Sequence, residues 1–312
     1  MANLKRGSTG PEVTALQQRL SDLGFDPHGI DGIFGPGTEA AVKAFQQANA
    51  LTADGIVGPI TRAALQLDGN GAQMTDKVLW VNDIDSLTNF IQRAVAANVT
   101  AIAVRTRDSN HIPQAIPAAH AANLKIYGWR WPSAQPSGAM AEADRAVTFL
   151  NQGMDGYFVD PEGDPGKPWD WDRHGLENLA TDFCTRVKQA AGTRPLGVTS
   201  HYRAKQVFTK LPWLEFFEHA DVLLPQAYWR VQGGSVGQGD PAQNYQRSIQ
   251  AWVDAGGDQA KVVPMAGELR RVNAAEITHH VAAAENAGIQ SLHFYTDEPG
   301  ISSGVWDAIK QA

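Results

Sequence analysis

The run Asp155-Gly-Tyr-Phe-Val-Asp-Pro-Glu-Gly-Asp164 holds the residues best suited to chemistry. Within it, Gly156 to Val159 reads as a short strand, aromatic and β-branched with no helical period. Side chains alternate along a strand, so Asp160 and Glu162 face the same way, roughly 6.6 Å apart along it. Two carboxyls on one face repel, which raises the pKa of one and leaves the other ionised. One protonated and one charged carboxyl is the equipment of glycoside hydrolysis. A D-x-E triplet also arises by chance at strand ends, so the pair gains weight only from what surrounds it.

The surroundings are a regular alternation. From Lys77 onward, β-rich runs at Val78 to Ile84, Ala101 to Thr106, Lys125 to Trp131 and Gly156 to Glu162 are separated by helical stretches. The series continues with Pro195 to Ser200, Asp221 to Gln226, Lys261 to Ala266 and Ser291 to Tyr295. Eight β/α units in roughly 235 residues predict a TIM (β/α)8 barrel. An open doubly wound sheet is the alternative, but no Gly-rich phosphate loop follows the first strand.

In a barrel the site lies at the C-terminal ends of the strands. Asp83 and Asp85 fall there after the first strand, Arg105 and Arg107 after the second, and Trp129, Arg130 and Trp131 after the third. Ser200, His201 and Tyr202 end the fifth, Gln226, Tyr228 and Trp229 the sixth, Glu268 the seventh, and Tyr295, Asp297 and Glu298 the eighth. Glu162, Asp160, Asp83 and Tyr228 are the catalytic candidates. Trp129, Trp131, Arg105, Tyr202, Gln226 and Trp229 are expected to bind substrate, with Glu268, Tyr295 and Asp297 beside them. Trp169 and Trp171 also fall near this mouth, and flat aromatic faces suit the C–H faces of sugar rings. Trp80, Trp213, Trp252 and Trp306 sit inside strand or helix patterns and read as core.

The first seventy residues carry a repeat. Asp31-Gly-Ile-Phe-Gly-Pro-Gly-Thr38 is echoed by Asp54-Gly-Ile-Val-Gly-Pro-Ile-Thr61. Each unit is a tight turn leading into a helix start, with Pro36 or Pro59 before a Thr cap. Val13, Leu16, Leu20 and Leu23 mark a preceding amphipathic helix ended by Gly24, so a small three-helix domain is expected. With R-G-S-x-G-P-E-V at Arg6 to Val13 and L-Q-Q-R-L at Leu16 to Leu20, this segment resembles the type-1 peptidoglycan-binding domain of cell-wall hydrolases. The resemblance implies a module for bacterial wall glycan or stem peptide, with Asp31, Thr38 and Gln46 as contact candidates. For Gly35, Pro36 and Gly58 a purely structural role is the better reading. The polar run Asp68 to Ala72 marks the joint. This gives domains at 1–68 and 76–312 and a linker at 69–75.

Asp155-Gly-x-x-x-Asp160-x-Glu162 resembles the D-G-x-D-x-D-x-E signature of family 18 chitinases, with Phe158 in place of the middle aspartate, and Pro225-Gln-Ala-Tyr228 is similar to the same group. The short D-x-E, an aspartate on the first strand and a wall-binding module together resemble family 25 lysozymes. Both resemblances imply substrate assistance. Glu162 would protonate the glycosidic oxygen, Asp160 would orient the 2-acetamido group that attacks the anomeric carbon, and Tyr228 would hydrogen-bond that group. Phe158 leaves the middle aspartate's place to another group, for which Asp83 is the candidate.

Composition narrows the field. A 43% hydrophobic and 19% charged chain of 312 residues is ordinary for a globular protein. Formal net charge is −7, with no basic run, which argues against nucleic acid as a partner. No apolar segment is long enough for membrane insertion, and a monomer is expected. The start MANLKRGSTGPEV lacks a signal-peptide core. Synthesis in the cytoplasm, followed by holin release or injection to reach the wall, is therefore expected. The single cysteine, Cys184, reads as core. Ser200 and His201 are adjacent on a strand and point apart, against a triad. His201, His293, Asp83 and Glu268 are conceivable metal ligands, but no H-x-H or H-E-x-x-H spacing occurs, and no metal or cofactor is expected. The expected function is peptidoglycan hydrolysis between N-acetylmuramic acid and N-acetylglucosamine, as a muramidase or an N-acetylglucosaminidase. The alternatives are a non-catalytic glycan-binding barrel, a chitinase-like enzyme, and a metal-dependent deacetylase or amidase.

Overall fold

The computed structural model describes residues 3–49, 51–58, 61–62, 65, 76–84, 86–106, 111–230 and 239–312. The linker at 69–75, Pro59, Asp85 and Arg107 fall outside them. The chain divides into two compact units.

The N-terminal unit contains α1 (Pro11–Asp22) and α2 (Pro36–Ala48), each with a proline in its first turn, where no N–H is needed. Most of the third helix expected here lies outside the described residues. Val13, Leu16 and Leu20 form the apolar stripe of α1 and pack with Val42, Phe45 and Val57. The two repeat turns are held alike. Gln17 donates to Asp31 (2.8 Å), Ile33 O (3.0 Å) and Thr38 (3.1 Å) and accepts from Gly32 N (2.8 Å). Gln46 donates to Asp54 (2.8 Å), Ile56 O (3.0 Å) and Thr61 (3.1 Å) and accepts from Gly55 N (2.9 Å). Of the three wall-contact candidates, Thr38 and Gln46 are therefore buried inside this device. Only Asp31 is exposed, and the Gln17 amide holds its carboxyl below the usual range.

The second unit is the barrel. Seven parallel strands, β1 (Lys77–Val81), β2 (Ala101–Arg105), β3 (Lys125–Arg130), β4 (Gly156–Val159), β5 (Leu196–His201), β6 (Val222–Gln226) and β7 (Leu292–Asp297), run in the order β6-β5-β4-β3-β2-β1-β7. The strands are buried on both faces, as wrapping by helices demands. Those helices include α3 (Leu87–Ala96), α4 (Ile112–Ala121), α5 (Pro136–Asn151), α6 (Glu177–Ala191) and α7 (Trp213–His219). They continue with α8 (Pro241–Asp254), α9 (Ala274–Asn286) and α10 (Ser303–Gln311).

The eighth expected strand, Lys261 to Ala266, is not a full strand. It closes the ring through single parallel bridges, Val262 to Leu223 and Ala266 to Phe294. Val263 N and Met265 N donate to β6, so residues 264 and 266 face β7. Ala266 N donates to His293 O, but Pro264 has no N–H to give, and the ladder to β7 is broken there. Opposite Trp80, β7 carries an extra residue, so that Leu79 pairs with Phe294 and Val81 with Asp297. Among the described residues no helix is long and apolar enough to cross a membrane.

Candidate active site

At the C-terminal ends of the strands lies a pocket of about 240 Å³. Asp160, Glu162, Gln226, Tyr228, Glu268 and Tyr295 supply its polar groups, and Trp80, Trp129, Trp131, Thr199 and Met265 complete the walls.

Strand β4 stops at Val159 because Pro161 cannot continue the ladder, and the chain is then pinned on both sides. Ser200 Oγ donates to Pro161 O (2.6 Å), and Trp171 N donates to Glu162 O (2.8 Å). The following loop folds over Asp170, whose Oδ1 accepts from Asp164 N and Asp172 N (both 3.2 Å). Glu162 is thus presented by a fixed backbone.

Asp160 is almost fully buried, and its Oδ1 accepts from Gln226 Nε2 (3.0 Å). Burial, and then the charge of Glu162, push its carboxyl well above the usual range; Gln226 and the nearby Trp131 indole act against this. Trp131 Nε1 faces Asp160 without a complete hydrogen bond. Glu162 is raised to about 6, mainly by burial, with Asp164 adding to the shift and Gln226 opposing it. No Lys, Arg or His is among the described lining residues, so the pair keeps a proton at mildly acid pH.

Tyr228 and Tyr295 stack in parallel at 5.4 Å. Burial holds both phenols above their usual pKa, so both are neutral donors. Gly267 makes room for Tyr228: a Cβ there would lie 1.9 Å from the ring. Tyr295 OH accepts from Asn82 Nδ2 (2.7 Å).

Beneath the pocket a polar column supports Trp80. Trp80 Nε1 donates to His293 Nδ1 (3.1 Å), His293 Nε2 meets Ser291 Oγ (3.2 Å), and Ser291 Oγ donates to Asp76 O (2.9 Å). Burial lowers His293 to about 3, so the imidazole is neutral, and accepting from Trp80 leaves the proton on Nε2.

The sequence expectations divide on this geometry. Asp160, Glu162, Tyr228, Trp129, Trp131, Gln226, Glu268 and Tyr295 come together around the pocket. Trp129 does so as a buried wall, its Nε1 bonded to Val81 O (3.1 Å). The other expected residues lie elsewhere. Asp83 pairs with Arg105 (2.7 Å) outside the pocket and cannot replace a middle aspartate. Arg105 itself is nearly buried behind Trp131, 5.4 Å from the ring centre, and supports the wall without lining it. Tyr202 is buried and stacks on His201, Trp229 is buried against His280, and Asp297 is held by two guanidinium nitrogens of Arg93, Nε and Nη2. Trp171 is buried with its Nε1 on Pro132 O (2.9 Å), and Trp169 is exposed and bonded to Asp164.

Phe158 lies one layer below the carboxylates, stacked on Trp80 at 5.2 Å and packed against Tyr127 and His293. Gly197 leaves it that space: a Cβ there would come within 2.5 Å of the ring. Ser200 and His201 do not pair, as their adjacent positions imply; Ser200 holds Pro161, and burial lowers His201 to about 4. Among the described residues no three His, Cys, Asp or Glu side chains gather as a metal site needs.

Three lining residues were not anticipated. Thr199 shares the inward parity of Gly197 on β5, a signal that alternation offers and that the neighbouring Ser200 and His201 obscure. Met265 belongs to the broken stave. Trp80 reads as core and is core, yet its ring also forms the floor.

A (β/α)8 barrel with an unneutralised carboxyl pair at the strand ends is the class that fold and site define. Residues 9–65 match the family model described as "Putative peptidoglycan binding domain". The spore cortex-lytic enzyme of Halalkalibacterium halodurans is 40% identical over 67 residues, 22% of this chain and 20% of that protein. The N-acetylmuramoyl-L-alanine amidase CwlL of Bacillus licheniformis is 44% identical over 68 residues, 21% of this chain and 19% of that protein. The chain thus spans only about a fifth of the length of these curated relatives. A class V chitininase structure from Pseudomonas fluorescens Pf-5 superposes with a TM-score of 0.55 at 11% identity, over 75% of this chain and 98% of that one. At that identity the likeness is one of fold.

Proposed function

We propose that the protein hydrolyses the glycan strand of bacterial peptidoglycan, between N-acetylmuramic acid and N-acetylglucosamine. The observation that carries this reading is the pair of buried carboxyls Asp160 and Glu162 lining one aromatic-walled pocket, both raised above their usual pKa by burial, in a chain whose N-terminal residues match a peptidoglycan-binding family. The matched relatives pair similar stretches with differing named activities, so the reaction has to be argued from the barrel.

The pair holds one proton between its members. An acetamide N–H donated to Asp160 favours the anionic form there and moves the proton to Glu162. Glu162 then gives it to the glycosidic oxygen as the bond to the anomeric carbon breaks. The acetamide carbonyl oxygen attacks that carbon, and the Tyr228 hydroxyl holds the same group. Water opens the resulting ring at the anomeric carbon and returns a proton to Glu162. Gln226 serves as a positioning residue through its bond to Asp160.

The test is turbidity loss of permeabilised Gram-negative cells. Glu162→Gln should slow lysis by about 10²–10⁴-fold, the usual worth of a general acid. Unchanged lysis would remove Glu162 from this role. The absence of any lysis by the wild-type protein would favour a barrel that only grips glycan, the reading that Phe158 supports. Mass spectrometry of the fragments identifies the bond: reducing-end muramic acid marks a muramidase, and reducing-end glucosamine a glucosaminidase. Chitin offered in parallel tests the chitinase-like alternative.

A further inference from the structure

A second cavity, about 570 Å³, lies beside the pocket between the end of β1, the start of α3 and the end of β7. It is larger than the pocket and shares a wall with it. Asn82 lines the groove and donates to Tyr295 OH of the pocket, and Val81 of the groove accepts from Trp129 of the pocket. The Asn82 Oδ1 at this seam is buried without a hydrogen-bond partner, a cost that a ligand N–H would relieve.

The lining is mixed. Ile84, Phe90, Ile301 and Trp306 offer an apolar floor. The Asp83 carboxylate is 61% exposed while its Arg105 partner is 9% exposed, so the acid and not the base faces outward. Glu298 adds a second carboxylate, with Arg270 as far as 3.9 Å away. A sugar needs no such charges. Arg93, 45% exposed beside its 3% exposed partner Asp297, turns a base to the same groove. A short peptide with small apolar side chains, amide N–H groups, a free amino group and carboxylates would use all of them.

Resting on the wall-glycan reading above, we propose that this groove seats the stem peptide carried by the muramic acid bound in the pocket. The peptide is covalently joined to that sugar, so its ordering cost is partly met once the sugar is bound. The enzyme then prefers peptide-bearing strands to naked ones.

The test uses the full chain carrying Glu162→Gln, so that bound ligand is not cleaved, and calorimetry with the wall disaccharide and with the same disaccharide bearing a tetrapeptide. The peptide should tighten binding about tenfold or more. Adding Asn89→Trp, which places an indole in the groove from an exposed helix position, should erase that gain and leave the disaccharide Kd unchanged. The N-terminal module is the same in both proteins, so any affinity of its own for peptide survives and is subtracted. Glu298→Ala, a milder change, should cut the gain about threefold. Equal binding of the two ligands, or a gain that neither substitution reduces, overturns the proposal. Should the wild-type protein release no fragments from any wall glycan, the hydrolase reading fails, and the binding difference still decides this one.

Discussion

The repeat turns of the N-terminal unit and the mouth of the barrel use polar side chains in opposite ways. In the first, Gln17 and Gln46 each close four hydrogen bonds, and every polar group of the turn they touch is matched. In the second, two carboxyls share one amide donor, Gln226, and no cation is among the described residues lining their pocket. Matching lowers Asp31 and makes its turn rigid, whereas under-matching raises Asp160 and Glu162 and keeps a proton available. A polar residue at a conspicuous turn is thus poor evidence for ligand contact. An acid left short of partners is better evidence for chemistry.

The sharpest way to break this contrast is to supply the missing acid. Phe158→Asp restores the carboxylate of the chitinase-like pattern, but at a site walled by Trp80, Tyr127 and His293. Losing the ring and burying an unmatched carboxyl should cost at least about 4 kcal/mol in urea unfolding of the barrel, with no gain in lysis. A small cost would mean that His293 protonates to pair with the new acid. The interior would then accept charge more readily than its packing suggests.

That substitution also shows what the sequence could and could not disclose. The alternation of strands and helices is written in composition and period, and so the barrel and the Asp160–Glu162 pair were legible. Phe158 was legible as a departure, but not its consequence. Its parity gives inward direction, whereas its depth depends on Gly197 of the next strand. Asp83, Arg105, Tyr202, Trp229 and Asp297 were placed at the mouth by nearness to strand ends. Each is removed from the pocket by a partner distant in sequence or by the turn of the chain after the strand. Arg93 is 204 positions from Asp297, a pairing that no local period reveals. The broken eighth stave shows the same limit: Pro264 is visible, but which neighbour loses its hydrogen bond depends on the register with β6 and β7.

On the matched side of the comparison, Gln46→Ala strands the N–H of Gly55 and the groups of Asp54, Ile56 and Thr61 together. The N-terminal unit should lose about 2–4 kcal/mol, read from its own calorimetric transition, because partners left unmatched cost more than the bonds were worth. Asp31→Ala removes the exposed acceptor of Gln17 and Ile33 N, so wall pull-down is measured beside the melt: binding lost at an unchanged melting temperature marks contact, and binding lost only with the melt marks structure. If Gln46→Ala leaves the melt unchanged and abolishes wall binding, Gln46 is a ligand contact and the contrast fails.

The smallest effect tests the under-matched side without any substrate. Glu162 is raised from 4.5 to about 6 in the folded chain, so between those values the native state binds more protons than the unfolded one. Stability contributed by the protonated form is therefore fully present below about pH 4.5 and is lost as pH rises through 6. The loss amounts to about 2 kcal/mol, since each pKa unit is worth about 1.4 kcal/mol. Glu162→Gln keeps a neutral side chain of the same shape at every pH. The variant should be more stable than the wild type by about 2 kcal/mol or more at pH 7, because losing the neighbouring charge also eases the Asp160 carboxylate there, and no more stable at pH 4. Buried neutral histidines such as His280 and His293 weaken both proteins alike as pH falls below 6.5, so they cancel in the difference. A substitution that abolishes lysis yet stabilises the barrel only at neutral pH would mark Glu162 as a group held against the interest of the fold. Equal stability at both pH values would mean that Glu162 is adequately solvated, and that the pocket does not tune its acid by burial.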